Sequence, residues 1–549
     1  MNRPFIYTLL ANLALPTVRQ LYKLTENTRV SQLKLALKLI KSNQNCKFGK
    51  LHNFVKINSL HDFQNYIPIN DYDYFKEFID ELAYGGKNIL THENPYMFAA
   101  TSGTTNSQKL IPVNNEYLKC FRKASIVSGY NLLKAYPKIN RGVTLSVFGS
   151  ACDSYTAAGI PIGSISGALM KSEPKIVKGS ISPLPYEITA INDWQLRYYI
   201  ILLLALNQPI TSIYTLNPST ILMLCEFLTK YQSSLIRDLY DGKINREFDL
   251  KINFWKNYRF TPNVNQAKFL EKLLSQDKFI PKYIWPDLQV ISTWTKASAA
   301  YYIPSLKKYF IDVPIVDISY GASEGRGSIF INENQQLLSI NSHFYEFMKS
   351  DTISSNKPKV YLADELKVNE YYNILLTTQA GLYRYNIGDV IKVTGFINSC
   401  PTIEFSHKSS NISSFTGEKL TENQVVKAFS KTIDQFNLTS PYFTLIPVFA
   451  QPPYYLMYVE LDENSISQNL DELAHHYDIN LKLLNSEYEA KRKSLRLGDI
   501  KIRQLKSGTY KNLRHFLTQN GASDAQVKIS NLNPKVTIRD FLDKSLVNA

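Results

Sequence analysis

"GLYRYNIGDVIKVTGF" spans Gly381–Phe396, and its reading decides the fold. Asp389 follows Gly388 and precedes the β-like run "VIKVTGF", so it is expected on a tight turn just before a strand. A carboxylate placed there can accept both hydroxyls of a ribose, and it can equally well cap a β-turn. The stretch needs partners elsewhere in the chain to choose between these.

Two other stretches supply them. "AATSGTTNSQKLIPV" (Ala99–Val113) sets Thr101, Ser102, Thr104 and Thr105 around Gly103, with Lys109 behind. Hydroxyls together with backbone N–H groups freed by a glycine can wrap several phosphate oxygens, although Ser/Thr/Gly turns are common. "ISYGASEG" (Ile318–Gly325) ends an apolar run. There Tyr320 can stack a purine, Gly321 allows close backbone approach, and Glu324 can hold magnesium on a phosphate; taken singly, it is also just a turn.

Better-known signatures are absent. Only Gly103 stands in the first loop, where a P-loop needs two glycines ahead of Lys-Ser/Thr, and "GASEGRG" is not GxGxxG. "GASEG" does match the GxSxG of a hydrolase elbow, with Ser323 as nucleophile, but no HGGG-type oxyanion segment accompanies it. His475 and His476 are adjacent on a helical run and face different ways, which suits a solvated face better than a metal site.

The totals narrow the class. At 549 residues, two domains are expected, and 44% hydrophobic content is ordinary for a globular protein. The 62 Lys plus Arg against 47 Asp plus Glu leave +15. Short basic clusters such as "KRKSLRLGDIKIRQLK" (Lys491–Lys506) occur without a long arm or aromatic-basic motif, so a polyanionic small ligand is favoured over nucleic acid. Five cysteines at 46, 120, 152, 225 and 400 show no CxxC spacing, which fits a reducing compartment and suggests neither disulfides nor zinc. "FIYTLLANLALPTV" (Phe5–Val18) reads as an N-terminal helix, and "YYIILLLAL" (Tyr198–Leu206) as a buried helix, only about half the ~20 residues of a membrane span. A cytoplasmic monomer without membrane attachment is expected.

Along the chain, "YMFAA" and "KLIPV" predict extended segments on either side of the hydroxyl loop, with a helix after Asn115. From about 140 to 345, β-like runs ("VTLSVFG", "TSIYTL", "LQVISTW", "VPIVDISYG") alternate with helical ones, as in an α/β domain with a covered sheet. "SHKSSNISSFTGEK", beginning at Ser406, reads as a polar hinge. Beyond it come a strand pair ("YFTLIPVFA", "YYLMYVEL"), one long helix from about Leu470 to Lys493, and a further strand and helix. The expected organisation is a large α/β domain over 1–405, a hinge over 406–418, and a small mobile α+β domain over 419–549.

The order of the three stretches resembles the adenylate-forming superfamily. The wording of "FAATSGTT", "IWPDL" (Ile284–Leu288), "YGASEG", "FYEF" (Phe344–Phe347), the Gly381–Phe396 stretch and "GASDAQVK" is similar to the auxin-responsive promoter (Gretchen Hagen three) family of acyl-acid amido synthetases. So is the lead-in "FVKINSLHDFQNYIPINDYDYFKEFI". The resemblance implies ATP and Mg²⁺ as cofactors, with a small carboxylic acid and an amino acid as substrates. It implies phosphate binding by Ser102, Gly103, Thr104 and Thr105, and an adenine and magnesium turn over Tyr320, Gly321, Ala322, Ser323 and Glu324, with Glu324 on the metal. It further implies ribose binding by Asp389, a nucleotide contact by Lys419, and α-phosphate binding by the catalytic Lys528. The acyl pocket would lie beside the helix after the loop, near Phe121 and Arg122, although Arg122 also reads as a solvated arginine. His407-Lys408 stand where the family usually carries an arginine, and "VKISNL" replaces its usual Pro-Arg after the lysine. A coenzyme A ligase and a non-catalytic nucleotide-binding member remain alternatives.

Overall fold

The computed structural model describes residues 3–101, 109–174, 176–178, 180–191, 193–244, 258, 260–349, 359–408, 412–413, 418, 420–438, 442–448, 450, 452–461, 469–493, 497–519, 529–533 and 536–547. The chain divides into two compact units. One comprises Met1–Thr295, Ile303–Ile387 and Lys392–Glu404; the other comprises Lys296–Tyr302, Gly388–Ile391 and Phe405–Ala549.

In the first unit, helix Arg3–Glu26 buries Ile6, Ala14, Val18 and Leu21. Asn27 then caps helix Thr28–Ser42 by accepting from the Val30 amide. The segments around the hydroxyl loop pair as an antiparallel hairpin, Met97–Thr101 against Lys109–Val113, with Met97 opposite Val113 and Thr101 opposite Lys109. Helix Asn115–Ala135 follows, capped by Asn114. Strands Val143–Val147, Ile210–Thr215, Val290–Thr293 and Ile315–Asp317 form a parallel sheet in that order. Its central strands are almost continuously buried, as the apolar runs require when helices cover both faces. The helix carrying "YYIILLLAL" (Trp194–Leu206) buries residues on every side, including Tyr199, whose hydroxyl donates to Asp238. Among the described residues no helix is long and apolar enough to cross a membrane.

A seven-stranded sheet follows the order Ser328–Asn332, Gln335–Leu338, Cys400–Lys408, Tyr385–Ile397, Tyr371–Thr377, Phe344–Lys349, Val360–Tyr361. Here the structure differs from the sequence reading twice. Asp389 lies inside the thirteen-residue strand Tyr385–Ile397 and not on a turn before it: Gly388 takes φ +73° within the strand without ending it. The hinge expected from Ser406 onward begins as strand, because Ser406, His407 and Lys408 complete Cys400–Lys408. Ile412–Ser413 then pairs with Leu420–Thr421.

The family-like wording of the lead-in and of Gly381–Phe396 acquires a physical meaning in this unit. Tyr383 stacks on Phe48 (4.9 Å between centroids, 17°) and donates to the Leu90 carbonyl. Arg384 forms a two-pronged ion pair with Glu346 of "FYEF" at 2.9 and 3.1 Å, and donates to the carbonyls of Gln64 and Ile67 at 3.0 and 2.8 Å. Asn70 exchanges backbone hydrogen bonds with Arg384 and Asn386. Three separated motifs therefore form one clasp.

The second unit is built on strands Tyr442–Val448 and Tyr454–Glu460, antiparallel, with Lys501–Leu505 parallel to the latter. Period-two alternation separates its cores. Phe443 and Leu445 face helices Glu422–Gln435 and Leu470–Leu484, with Phe429 stacked on Phe443 at 3.9 Å, while Ile446 and Val448 pack with Tyr510, Leu513 and Leu542. The single helix expected over Leu470–Lys493 is two, Leu470–Leu484 and Ser486–Lys493, broken at Asn485. Asn485 Oδ1 accepts from the Tyr488 amide while its Nδ2 donates to the Glu418 carbonyl, so it caps the second helix from outside. Within the basic run Lys491–Lys506, Arg492 is buried and paired with Asp478 at 2.8 Å and with Asp499. Part of that run therefore belongs to the core.

Candidate active site

Ser102, Gly103, Thr104, Thr105, Lys419 and Lys528 lie outside the described residues, which resume beside them at Thr101, Lys109, Glu418, Leu420 and Ile529. Lys109, at the far side of the hydroxyl loop, holds its ammonium 5.0 Å from the Tyr72 ring centre. Tyr72 in turn accepts from the Leu110 amide at 2.8 Å. Burial raises the Tyr72 phenol to about 12, with the Asp80 and Glu324 carboxylates adding to the shift. The loop's exit and Glu324 thus lie in one neighbourhood, although 215 residues separate Lys109 from Glu324 in sequence.

The turn that carries Glu324 is a small hairpin, Gly321–Ala322 against Gly325–Arg326. A strand–turn–strand unit is not the strand–turn–helix on which a nucleophile elbow depends, so the GxSxG match at Ser323 is coincidental. Tyr117, on the helix after the loop, fixes the turn by donating to the Ser323 carbonyl at 2.6 Å. Full burial holds the Tyr117 phenol well above its ordinary value, and the Glu324 carboxylate pushes the same way. Gly321, Ala322 and Ser323 are half-buried, whereas Glu324 is buried and Tyr320 is 8% exposed. The Tyr320 ring lies over Gly327, where a β-carbon would come within 2.0 Å of Cδ1. Ser319, just before the turn, takes φ +81°, an unusual conformation for a buried non-glycine residue.

Phe121 joins this neighbourhood through edge contact with Tyr117 at 5.2 Å and with His343 at 6.4 Å. Arg122 does not face the same way. It is half-buried and its charge acts on the phenol of Tyr96, whose amide bonds to Val113 at the end of the hairpin away from the hydroxyl loop. His343 was not singled out from the sequence. It is fully buried, stacks on Tyr117 at 5.6 Å, and bonds Gln379 through Nδ1, while its Nε2 has no partner. Burial lowers it to about 4.

In the second unit Asp389 is 3% exposed and pairs with Lys408 Nζ at 2.9 Å. The lysine that departs from the expected arginine therefore still supplies a cation to this carboxylate. Burial lowers the neighbouring His407, against the opposing pull of Asp389 and Glu422. Two residues past Lys528, Ser530 donates to Glu422 at 2.7 Å; the Asn531 amide donates to the same oxygen, and Leu445 and Asn531 share backbone hydrogen bonding. The "ISNL" stretch is thereby anchored to the sheet without the expected Pro-Arg.

Among the described residues no group of three metal-ligating side chains occurs. Magnesium is commonly held by one or two carboxylates plus substrate phosphates, a demand that the single buried Glu324 carboxylate beside the loop exit fits.

The architecture is that of the adenylate-forming enzymes. A 2-hydroxyisobutyryl-CoA ligase structure in its postadenylation state matches at TM-score 0.51 and 9% identity, over 97% of this chain and 90% of that one. A GH3.15 acyl acid amido synthetase matches at TM-score 0.85 and 22% identity, over 97% and 96%. Models of the GH3 family N-terminal, central and C-terminal domains match residues 17–315, 336–408 and 423–535, and the chain belongs to the GH3 family. Among curated relatives, the indole-3-acetic acid-amido synthetase GH3.4 of Arabidopsis thaliana is 25% identical over 96% of this chain and 93% of its own. The 4-substituted benzoates-glutamate ligase GH3.12 of the same plant is 25% identical over 93% and 94%. The jasmonoyl–L-amino acid synthetase JAR4 of Nicotiana attenuata is 24% identical over 85% and 84%.

Proposed function

We propose that this chain is an ATP-dependent acyl-acid amido synthetase. The observation that carries the reading is that the three family domains match in order from residue 17 to 535, among relatives named as amide-forming ligases. A carboxylate oxygen is a poor leaving group, so the acid's carboxylate first attacks the α-phosphorus of ATP and displaces pyrophosphate. The amino-acid amine then attacks the acyl carbon, AMP departs with the carbon–oxygen bond electrons, and the amine proton passes to solvent.

In this reading Ser102, Gly103, Thr104 and Thr105, with Lys109 behind them, grip the phosphates. Glu324 holds the magnesium that screens phosphate charge, and the half-buried backbone of Gly321–Ser323 meets the nucleotide. Asp389, oriented by Lys408, accepts the ribose hydroxyls, which makes Lys408 the working substitute for the family's arginine. Lys419 and Lys528 bring further cations from the smaller domain, where fixed charge aimed at developing phosphate charge contributes most to rate. Phe121 lines the acyl side, and the protein acts as a cytoplasmic monomer.

The test is thermal unfolding of the wild type and of Asp389→Ala with Mg-ATP. A ligand that binds only the native state stabilises it by about 2.7 kcal/mol at a hundredfold excess over Kd. An upward shift that Asp389→Ala removes, followed by AMP release from an acid and amino-acid panel, is the expected result. A well-folded sample that does not respond to millimolar Mg-ATP sinks the reading.

A further inference from the structure

Arg326 leaves the turn that carries Glu324, and it is the unusual cation of the first unit. In the hairpin it stands directly opposite Gly321, and opposed residues share a face. Its side chain therefore lies across the glycine, where a β-carbon would come within 3.3 Å of Nη1 and 3.4 Å of Cδ. The residue is 9% exposed. Nη2 donates to the Ile318 carbonyl at 2.9 Å, and Nε is buried without a partner. No carboxylate among the described residues forms an ion pair with it. Two other buried arginines behave differently: Arg384 grips Glu346 with two nitrogens, and Arg492 grips Asp478. An arginine remains charged when buried, and a buried charge without a counter-ion is strongly unfavourable. Desolvation duly lowers its pKa, opposed by Tyr214, Tyr345 and Asp317.

Its surroundings are those of a ligand site. Ile318 and Ser319 follow the parallel strand Ile315–Asp317, Tyr214 lies near the carboxyl end of Ile210–Thr215, and Phe148 follows Val143–Val147. Ligands of open parallel sheets bind outside this edge. Tyr214 and Phe148 meet edge to face at 5.7 Å, both half-buried, and the positive charge of Arg326 acts on the Tyr214 phenol. The positive φ of Ser319 stores backbone strain at the same place.

We propose that Arg326 is a substrate-binding residue that pairs with a spectator carboxylate, one not itself activated, carried by the acyl acid or by the accepting amino acid. This rests on the amido synthetase reading. The reacting carboxylate does not meet the requirement: adenylation converts it to a neutral acyl carbon, which would leave Arg326 unpaired during amine attack. A second carboxylate on the acid, or the amino acid's own, keeps its charge when the acyl carbon–oxygen bond breaks and the amide forms.

The experiment separates the two sources. With Mg-ATP present, wild type, Arg326→Met and Arg326→Lys are compared for binding and pyrophosphate exchange with succinate, adipate and terephthalate, each against its monomethyl ester. They are then compared for binding of glycine and glutamate against glycinamide and glutamine α-amide. In one arm the wild type prefers the free carboxylate by about tenfold or more, the scale set by a charged hydrogen-bonded pair. Arg326→Met abolishes that preference and Arg326→Lys keeps part of it. No preference in either arm, or one that survives Arg326→Met, overturns the proposal, and the wild-type comparison decides even if the methionine variant does not fold. A missing Mg-ATP response in the same wild-type sample indicts the adenylation reading instead.

Discussion

Replacing Arg384 by Met tests whether the family-specific motifs form a structural clasp. Arg384 and Glu346 are 6% and 1% exposed at their side chains, and the arginine makes four hydrogen bonds. The substitution leaves Glu346 buried with the Gln64 amide at 2.9 Å as its remaining side-chain donor, and removes the donor from the Gln64 and Ile67 carbonyls. Removing one partner of a buried ion pair costs about 3–5 kcal/mol, because the other charge remains uncompensated. For a unit of roughly 390 residues, an unfolding entropy near 2.1 cal/mol/K per residue gives about 0.8 kcal/mol/K, so the melting temperature should fall by about 4–6 °C. Glu346→Leu combined with Arg384→Met removes both charges and should recover most of the loss. Scanning calorimetry of the four proteins closes the cycle. A single variant within about 1 °C of wild type, or a double variant no more stable than the single, would refute the clasp.

Two further outcomes follow from buried groups. His343 sits near 4 in the folded protein and near 6.5 when unfolded, so between those values the unfolded state binds the extra proton. Stability therefore falls as pH drops through 6.5 toward 4, by about 3 kcal/mol when complete; melting curves across that window should flatten in His343→Gln, and an unchanged slope would exclude His343 as the source. Asn485→Ala removes the cap of helix Ser486–Lys493 and the bond to the Glu418 carbonyl. It should destabilise the second unit by about 1–2 kcal/mol, read from denaturant midpoints, and a change below about 0.3 kcal/mol would mean that the helix break is set elsewhere.

What the sequence disclosed depended on the range of the interaction. The extended segments around the hydroxyl loop, the strands of the covered α/β sheet and the strand pair of the second unit were legible because each is written in local apolar periodicity; the antiparallel and parallel pairings were not. The break at Asn485 was not, since an asparagine can occupy a helix and becomes a cap only when Glu418, 67 residues earlier, receives its amide. Gly388 read as a turn, and whether a glycine with φ +73° ends a strand or only kinks it is decided by the neighbouring strands. Arg326 stood in view within "GASEGRG" and signalled nothing, because its isolation arises from the register that sets it over Gly321.

The same contrast explains why the most distinctive wording was not the most chemical. In "FYEF" and "GLYRY", Glu346 and Arg384 each supply the counter-charge that lets the other be buried, so losing either alone leaves an uncompensated charge. A phosphate loop, by contrast, needs little more than hydroxyls and free backbone N–H groups, which many sequences supply. Family resemblance therefore points first to the scaffold. Under the proposal made for Arg326, the substrate is read instead by a residue that the scaffold leaves without an ion pair among the described residues.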